Sequence, residues 1–186
     1  ECCSGHDSRK DVVRLMKNRD GDWSIVCRAA AMAAEAHEGQ VRKTGAPYIQ
    51  HPARVAALLA SAGGDEALMA AGFLHDVIED SPIDYDDILE ACGEDVADWV
   101  ACMSKDMRLR EDIREPAYVQ QLADGPWQAR AVKLADQIDN WQDGLWDTAT
   151  LQKRREKGEW AIQIAQHDTR PVIMALRARL EALLGS

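Results

Sequence analysis

Basic charge is scarce in this chain. Its 186 residues carry 22 Lys and Arg against 32 Asp and Glu, a formal net charge of -10. That balance argues against long-range attraction to DNA or RNA, so no nucleic-acid partner is expected. It would also repel a phosphorylated small molecule unless a metal or a local basic patch met it. Long apolar runs are missing as well, so no signal peptide and no membrane-spanning helix are expected, and a cytoplasmic protein is the default. The five cysteines, Cys2, Cys3, Cys27, Cys92 and Cys102, are odd in number and match no zinc spacing. Cys27, Cys92 and Cys102 fall in helical patterns and read as small buried hydrophobes. Alternation of period two is absent, which argues against strands. No Gly-Lys-Ser/Thr element follows the glycines, so there is no Walker-type phosphate loop. No internal repeat is visible.

What is present is helical. Alanine, leucine and glutamate favour helices, and the fold class expected is all-α, a multi-helix bundle. Residues 1–11 show no periodicity and read as a flexible tail, with His6 incidental, leaving 12–186 as one domain. Ser24 can cap an alanine-rich helix over 24–38. Gly39 to Pro47 is a turn, in which Gly39 and Gly45 would bring His51 inward. His51-Pro52 opens the next helix, which ends before Ser61-Ala-Gly-Gly. Asp65 can cap a third, with Leu68, Ala71 and Leu74 on one face, and Ser81-Pro82 closes that run. Short helices are expected over 84–91 and 94–103, separated by Gly93. Residues 104–126 read as an irregular loop with a helix around 115–123. Residues 127–141 carry a core stripe of Val132, Ala135 and Ile138. A short helix is expected near 144–154. The longest periodic run is 159–184, with Ile173, Leu176, Leu180 and Leu183 on its apolar side, His167 inside it, and Pro171 kinking it.

Chemistry concentrates at helix edges. His75-Asp76 ends an apolar helix, and Glu79-Asp80 follow within one turn. Such groups are costly at a core edge unless paired or metal-bound. His51, His75, Asp76 and Asp136 are ordinary ligand types for zinc, manganese or iron. Each also has a plain alternative: a lone histidine there is usually structural, and mid-helix Asp136 would pair internally with an arginine.

Three segments together resemble the hydrolase domain of the RelA/SpoT family. The first is Ala36-His37-Glu38-Gly39-Gln40-Val41-Arg42-Lys43-Thr44-Gly45-Ala46-Pro47-Tyr48-Ile49-Gln50-His51-Pro52. The second is His75-Asp76-Val77-Ile78-Glu79-Asp80, and the third is Lys133-Leu134-Ala135-Asp136-Gln137-Ile138-Asp139-Asn140. The likeness runs from about 24 to 142 in the family's order. It implies a helical HD-type metallohydrolase that removes the 3′-pyrophosphate of (p)ppGpp, giving GDP or GTP and pyrophosphate. It implies one divalent metal, typically Mn2+, on His51, His75, Asp76 and Asp136, with Glu79 and Asp80 handling the attacking water. It implies Arg42 against the base, Lys43 near phosphate, and Asn140 near ribose and base. Tyr48 either packs beside the nucleotide or is a buried tyrosine with a satisfied hydroxyl. His37 is read as support for the site or the fold. Arg108 and Arg114, in the cationic segment 104–114, are read as phosphate contacts, and Lys153-Arg154-Arg155 can do similar work. A solvated charged face is the bland reading of both.

The chain departs from the family where an arginine often follows the third signature: here Asn140-Trp141-Gln142-Asp143 stands. At 186 residues it resembles a small stand-alone alarmone hydrolase rather than the large synthetase-bearing members. A related adenosine nucleotide such as (p)ppApp, or the phosphate of NADPH, stays open as substrate, as does a non-catalytic nucleotide-binding module. The expected partner is a small phosphorylated purine nucleotide. A homodimer also stays open, with one of Trp99, Trp146 or Trp160 at a subunit contact.

Overall fold

The computed structural model describes residues 24–143 and 148–185. The expected tail at 1–11, with Cys2, Cys3 and His6, lies outside the described residues, as does Trp146. Among the described residues the fold is all-α. The helices are α1 (Ile25–Ala36), α2 (Gln50–Ser61), α3 (Glu66–Leu74), α4 (Val77–Asp80) and α5 (Tyr85–Cys92). They continue as α6 (Glu94–Met103), α7 (Glu111–Asp124), α8 (Trp127–Gln142), α9 (Thr148–Ile164) and α10 (Pro171–Leu184). No helix is long and apolar enough to cross a membrane, among the described residues.

The local signals act as expected at the front of the chain. The Ser24 hydroxyl accepts from Cys27 N–H, and Asp65 Oδ1 accepts from Leu68 N–H at 2.8 Å. Each satisfies a backbone donor that the first helical turn leaves free. The turn between α1 and α2 is pinned by an isolated antiparallel bridge, Val41 to Pro47. Gly39 and Gly45 take φ of 73° and 82° there, a region that residues with a Cβ avoid.

Helix α3 lies at the centre, packed on α1, α2 and α6, while α8 joins α2 to α9 and α10. Leu59, Leu74, Leu134 and Ile138 are fully buried between these elements. Close approach of α2 and α3 depends on Gly72. A Cβ there would stand 2.6 Å from Leu59 Cδ1 and 3.2 Å from the Ala56 Cα. One turn beyond this contact, α3 delivers His75 beside His51.

The back half differs from the sequence reading. The segment 148–184 is two helices, α9 and α10, and His167 sits exposed in the turn between them. Pro171 does not kink a long helix; it starts α10, where its missing N–H costs nothing. The apolar seam of α10 is Ile173, Leu176, Leu180 and Leu184, with Leu183 only partly buried. Helix α7 begins earlier than expected, at Glu111. Cys92 is buried and Cys102 half-buried, but Cys27 is exposed, because it falls off the Ala29–Met32–Ala33 stripe of α1.

Candidate metal centre and cleft

Two helices and a helix junction meet at one point. His51 comes from the first turn of α2, and His75 and Asp76 from the junction of α3 and α4. Asp136 comes from the middle of α8. His51, His75 and Asp136 each offer one ligand atom, and these atoms lie within 4.8 Å of one another. Asp136 Oδ1 is 3.3 Å from His51 Nε2 and 3.8 Å from His75 Nε2. Asp76 Oδ2 joins them, 3.6 Å from His51 Nε2 and 3.2 Å from His75 Nε2.

These residues fit a divalent cation. Two imidazoles and two carboxylates form a mixed N/O donor set of the kind that holds first-row metals. The histidines are 1% and 2% exposed, yet His75 Nε2 has no hydrogen-bond partner among the described residues. A buried polar atom without a partner needs an explanation, and a cation supplies one. Both rings are fixed from behind. His75 Nδ1 lies 2.9 Å from the carbonyl of Gly72, and His51 Nδ1 lies 2.6 Å from Asp139 Oδ2. In each case an acceptor on Nδ1 leaves Nε2 facing the cluster.

The charges of the cluster are tightly coupled. Burial works against a charge on His75, but Asp76 and Asp136 outweigh it and push its pKa up to about 9. Burial likewise opposes ionisation of Asp136, and Lys133 with the two histidines holds it well below the usual carboxylate range. Lys133 Nζ donates to Asp136 Oδ2 at 2.8 Å, and Gln137 Nε2 donates to the same oxygen at 2.9 Å. The internal partner of Asp136 is therefore a lysine, not an arginine. Asn140 Nδ2 donates to Asp136 Oδ1.

The cluster floors a cleft of about 410 Å³. Glu79 and Asp80 line it, as do Arg42, Lys43, Tyr48 and Asn140. Burial raises the Glu79 carboxyl, with the Asp76 charge adding to it, although Lys105 N–H donates to Glu79 Oε1 at 2.7 Å. Burial and the charge of Asp76 raise Asp80 too. The hydroxyl of Tyr48 donates to Asp76 Oδ2 at 2.6 Å, and its ring lies 4.7 Å from that of His37. Tyr48 thus has a satisfied hydroxyl on a cluster residue and still borders the cleft. The Arg42 guanidinium is engaged by Asp143 and by Asn140 Oδ1, the latter at 2.8 Å.

The cationic segment is placed differently from the sequence reading. Arg108 and Arg114 are not brought to the cleft. Arg108 points outward, paired with Asp106, and Arg114 lies against Glu115 and the Leu109 carbonyl. Besides Arg42 and Lys43, the cations that line it are Lys105, Lys133 and Arg154, beside Tyr118. Lys105 and Lys133 both sit over the Tyr118 ring, at 5.0 and 5.5 Å. Of the basic trio at 153–155, only Arg154 reaches the cleft, while Arg155 donates to the Leu184 carbonyl. Lys105 belongs to the segment that the sequence placed at the pocket's border, whereas sequence reasoning gave no role to Lys133, Tyr118, Asp139 and Arg54. Lys133 and Asp139 had a signal, since each stands three residues from Asp136 on one helix.

An all-helical fold that converges two histidines and two aspartates under a polar cleft defines an HD-type metal-coordinating hydrolase centre. The family model for the HD domain matches residues 29–155, and the chain belongs to that family. Within it the similarity is to alarmone enzymes of the RelA/SpoT type. Over 81 residues the chain is 49% identical to a probable guanosine-3′,5′-bis(diphosphate) 3′-pyrophosphohydrolase of Synechocystis sp., covering 44% of this chain and 11% of that one. It is 34% identical over 187 residues to probable GTP diphosphokinase RSH3, chloroplastic, of Arabidopsis thaliana, covering 94% of this chain and 26% of that one. The chain thus spans only 11% to 26% of these curated relatives. Among solved structures, one is described as a metazoan orthologue of SpoT that hydrolyses ppGpp and plays a role in starvation responses. It matches with a TM-score of 0.72 at 24% identity, over 89% of this chain and 96% of that chain, a likeness of fold.

Proposed function

We propose that this chain hydrolyses the 3′-pyrophosphate of (p)ppGpp, releasing GDP or GTP and pyrophosphate, with Mn2+ held by His51, His75, Asp76 and Asp136. The observation that carries the reading is the buried His75 Nε2, which makes no hydrogen bond among the described residues. It meets His51, Asp76 and Asp136 on the floor of a cleft that also holds three further carboxylates, Glu79, Asp80 and Asp143, and five cations, Arg42, Lys43, Lys105, Lys133 and Arg154. When bound, the metal supplies a water of lowered pKa and offsets phosphate charge.

The remaining work falls to side chains. Glu79 and Asp80 lie one turn beyond Asp76, and their raised pKa values suit groups that take a proton from water. The water oxygen bonds to the phosphorus attached to the ribose 3′ oxygen. The bond from that phosphorus to the 3′ oxygen breaks, and a proton returns to the 3′ oxygen. Lys105 and Arg154 offer charge to the phosphates, and Lys43 does so at the mouth. Asp80 is placed by the turn before α2, since Gln40 Nε2 donates to its carbonyl at 3.0 Å.

A second reading, a different purine nucleotide or NADPH, has one observation in its favour. Arg42 is occupied by Asp143 and Asn140, so the group expected to meet guanine is not presented freely. A turnover panel of ppGpp, ppApp and NADPH with manganese tests both. Pyrophosphate and GDP from ppGpp is the expected result. Turnover of ppApp or NADPH alone selects the second reading. No turnover of any of the three overturns the hydrolase reading.

A further inference from the structure

Two facing helices each repeat the same spacing: His51 and Arg54 on α2, Asp136 and Asp139 on α8. Three residues apart, the members of each pair share a helix face. The outer members meet. Arg54 Nε donates to Asp139 Oδ1 at 2.5 Å, and Arg54 Nη2 donates to Asp139 Oδ2 at 3.0 Å. This two-pronged grip fixes the plane of the carboxylate. Asp139 Oδ2 in turn stands 2.6 Å from His51 Nδ1. Asp139 is 2% exposed, so water is kept from the carboxylate, while the Arg54 side chain that grips it is 41% exposed.

We infer that Asp139, gripped by Arg54, is a positioning residue that holds His51 with Nδ1 protonated and Nε2 aimed at the metal centre. The inference rests on the metal-centre reading above. His75 needs no such device, because its Nδ1 is held by the backbone carbonyl of Gly72 on its own helix. His51 opens α2, where the first-turn backbone has no helical carbonyl to offer behind its ring. A carboxylate from another helix takes that place, and it needs Arg54 both to fix its plane and to balance its buried charge. Arg54 Nη2 also donates to Asp143 Oδ1 at 2.7 Å, and Asp143 engages Arg42. The histidine is thereby tied to the wall of the cleft that carries Arg42.

The test compares Asp139→Ala, Asp139→Asn, Arg54→Met, the double variant Arg54→Met/Asp139→Ala, and Asp168→Asn. Asp168 is a control: it is a carboxylate held by Arg130 and Arg170, and it lines no part of the cleft. Manganese affinity is read by competition with a fluorescent chelator, and the melting temperature of the metal-free protein is read beside it. Asp139→Ala is expected to weaken manganese binding about 10- to 100-fold. Arg54→Met is expected to weaken it by a smaller factor, and the double variant to behave like Asp139→Ala alone, because both act through one ring. Asp168→Asn should lower the melting temperature and leave the affinity at the wild-type value. In the wild type, the imidazole 15N spectrum of His51 should show the Nδ1–H tautomer, and Asp139→Ala should mix the two tautomers. If Asp139→Ala binds manganese as the wild type does, whatever its melting temperature, the inference is overturned and the pair is only a helix clamp. Should Asp139→Ala not fold, Asp139→Asn decides: weaker manganese binding supports the inference and wild-type binding overturns it. A wild-type protein with no manganese affinity is a different result, which overturns the metal-centre reading itself.

Discussion

On one side of the cleft, His51, His75 and Asp136 are 1%, 2% and 5% exposed, and each is carried on or at the end of a helix. On the other side, Arg42, Lys43 and Lys105 stand on the loops before α2 and after α6, and Lys43 is exposed. The first wall is interlocked: His51 is fixed by Asp139 of α8, His75 by the backbone of its own helix, and Asp136 by the Lys133 and Gln137 side chains of its own helix. The second wall is held by a few ion pairs among flexible side chains. Helices place reacting groups precisely, whereas loops tolerate change. The contrast sets a buried donor cluster fixed by helix packing against a cleft wall built on loops.

The largest expected effect lies on the buried wall. Asp136→Asn or His75→Ala should lower turnover on the order of 10³-fold or more and strip the manganese, because each removes a proposed ligand. Metal analysis of the purified variants beside steady-state kinetics checks this. Retained manganese with full turnover would erase the distinction between the walls. Next comes Glu79→Gln, for which kcat should fall about 10²- to 10⁴-fold with little change in KM. An effect confined to KM would instead place Glu79 among the substrate contacts.

A test of packing follows. Gly72→Ala should cost about 1–3 kcal/mol of stability, since its Cβ would press on Leu59 and the backbone of Ala56. Activity should fall with it, as the same contact sets the spacing of the two histidines; a denaturant titration and a rate measurement read both. The smallest effects belong to the loop wall. Lys105→Met should raise KM about 10- to 100-fold with kcat nearly kept, in line with loss of one charged contact worth about 1.5–3 kcal/mol. Arg108→Ala should change kcat/KM by less than about twofold, because Arg108 faces solvent and binds Asp106. A large loss in Arg108→Ala would mean that the 104–110 segment folds over the bound substrate.

Legibility in the sequence follows the same division. The segments holding His51, His75-Asp76 and Asp136 could be read because short-range order fixes them: caps at Ser24 and Asp65, turn glycines at 39 and 45, and apolar stripes in α3 and α8. The convergence of those segments came from the family resemblance, since no periodicity brings residues 51, 75 and 136 together. The charged segment 104–114 was not legible in detail. A run of arginines and acids states a polar face but not its direction, so Arg108 and Arg114 could not be told from Lys105. Pro171 was ambiguous for a like reason: a proline inside a periodic run fits a kink or a fresh start, and only the turn at 165–167 decides. Tyr118 gave no signal, because its place over two lysines depends on how α7 docks against α8.

The most direct test of the metal-centred account is an anomalous-scattering map from a crystal grown with manganese. The account predicts one strong peak bonded to His51 Nε2, His75 Nε2, Asp136 Oδ1 and an oxygen of Asp76. No peak there at saturating manganese, or a peak only elsewhere on the surface, would contradict it.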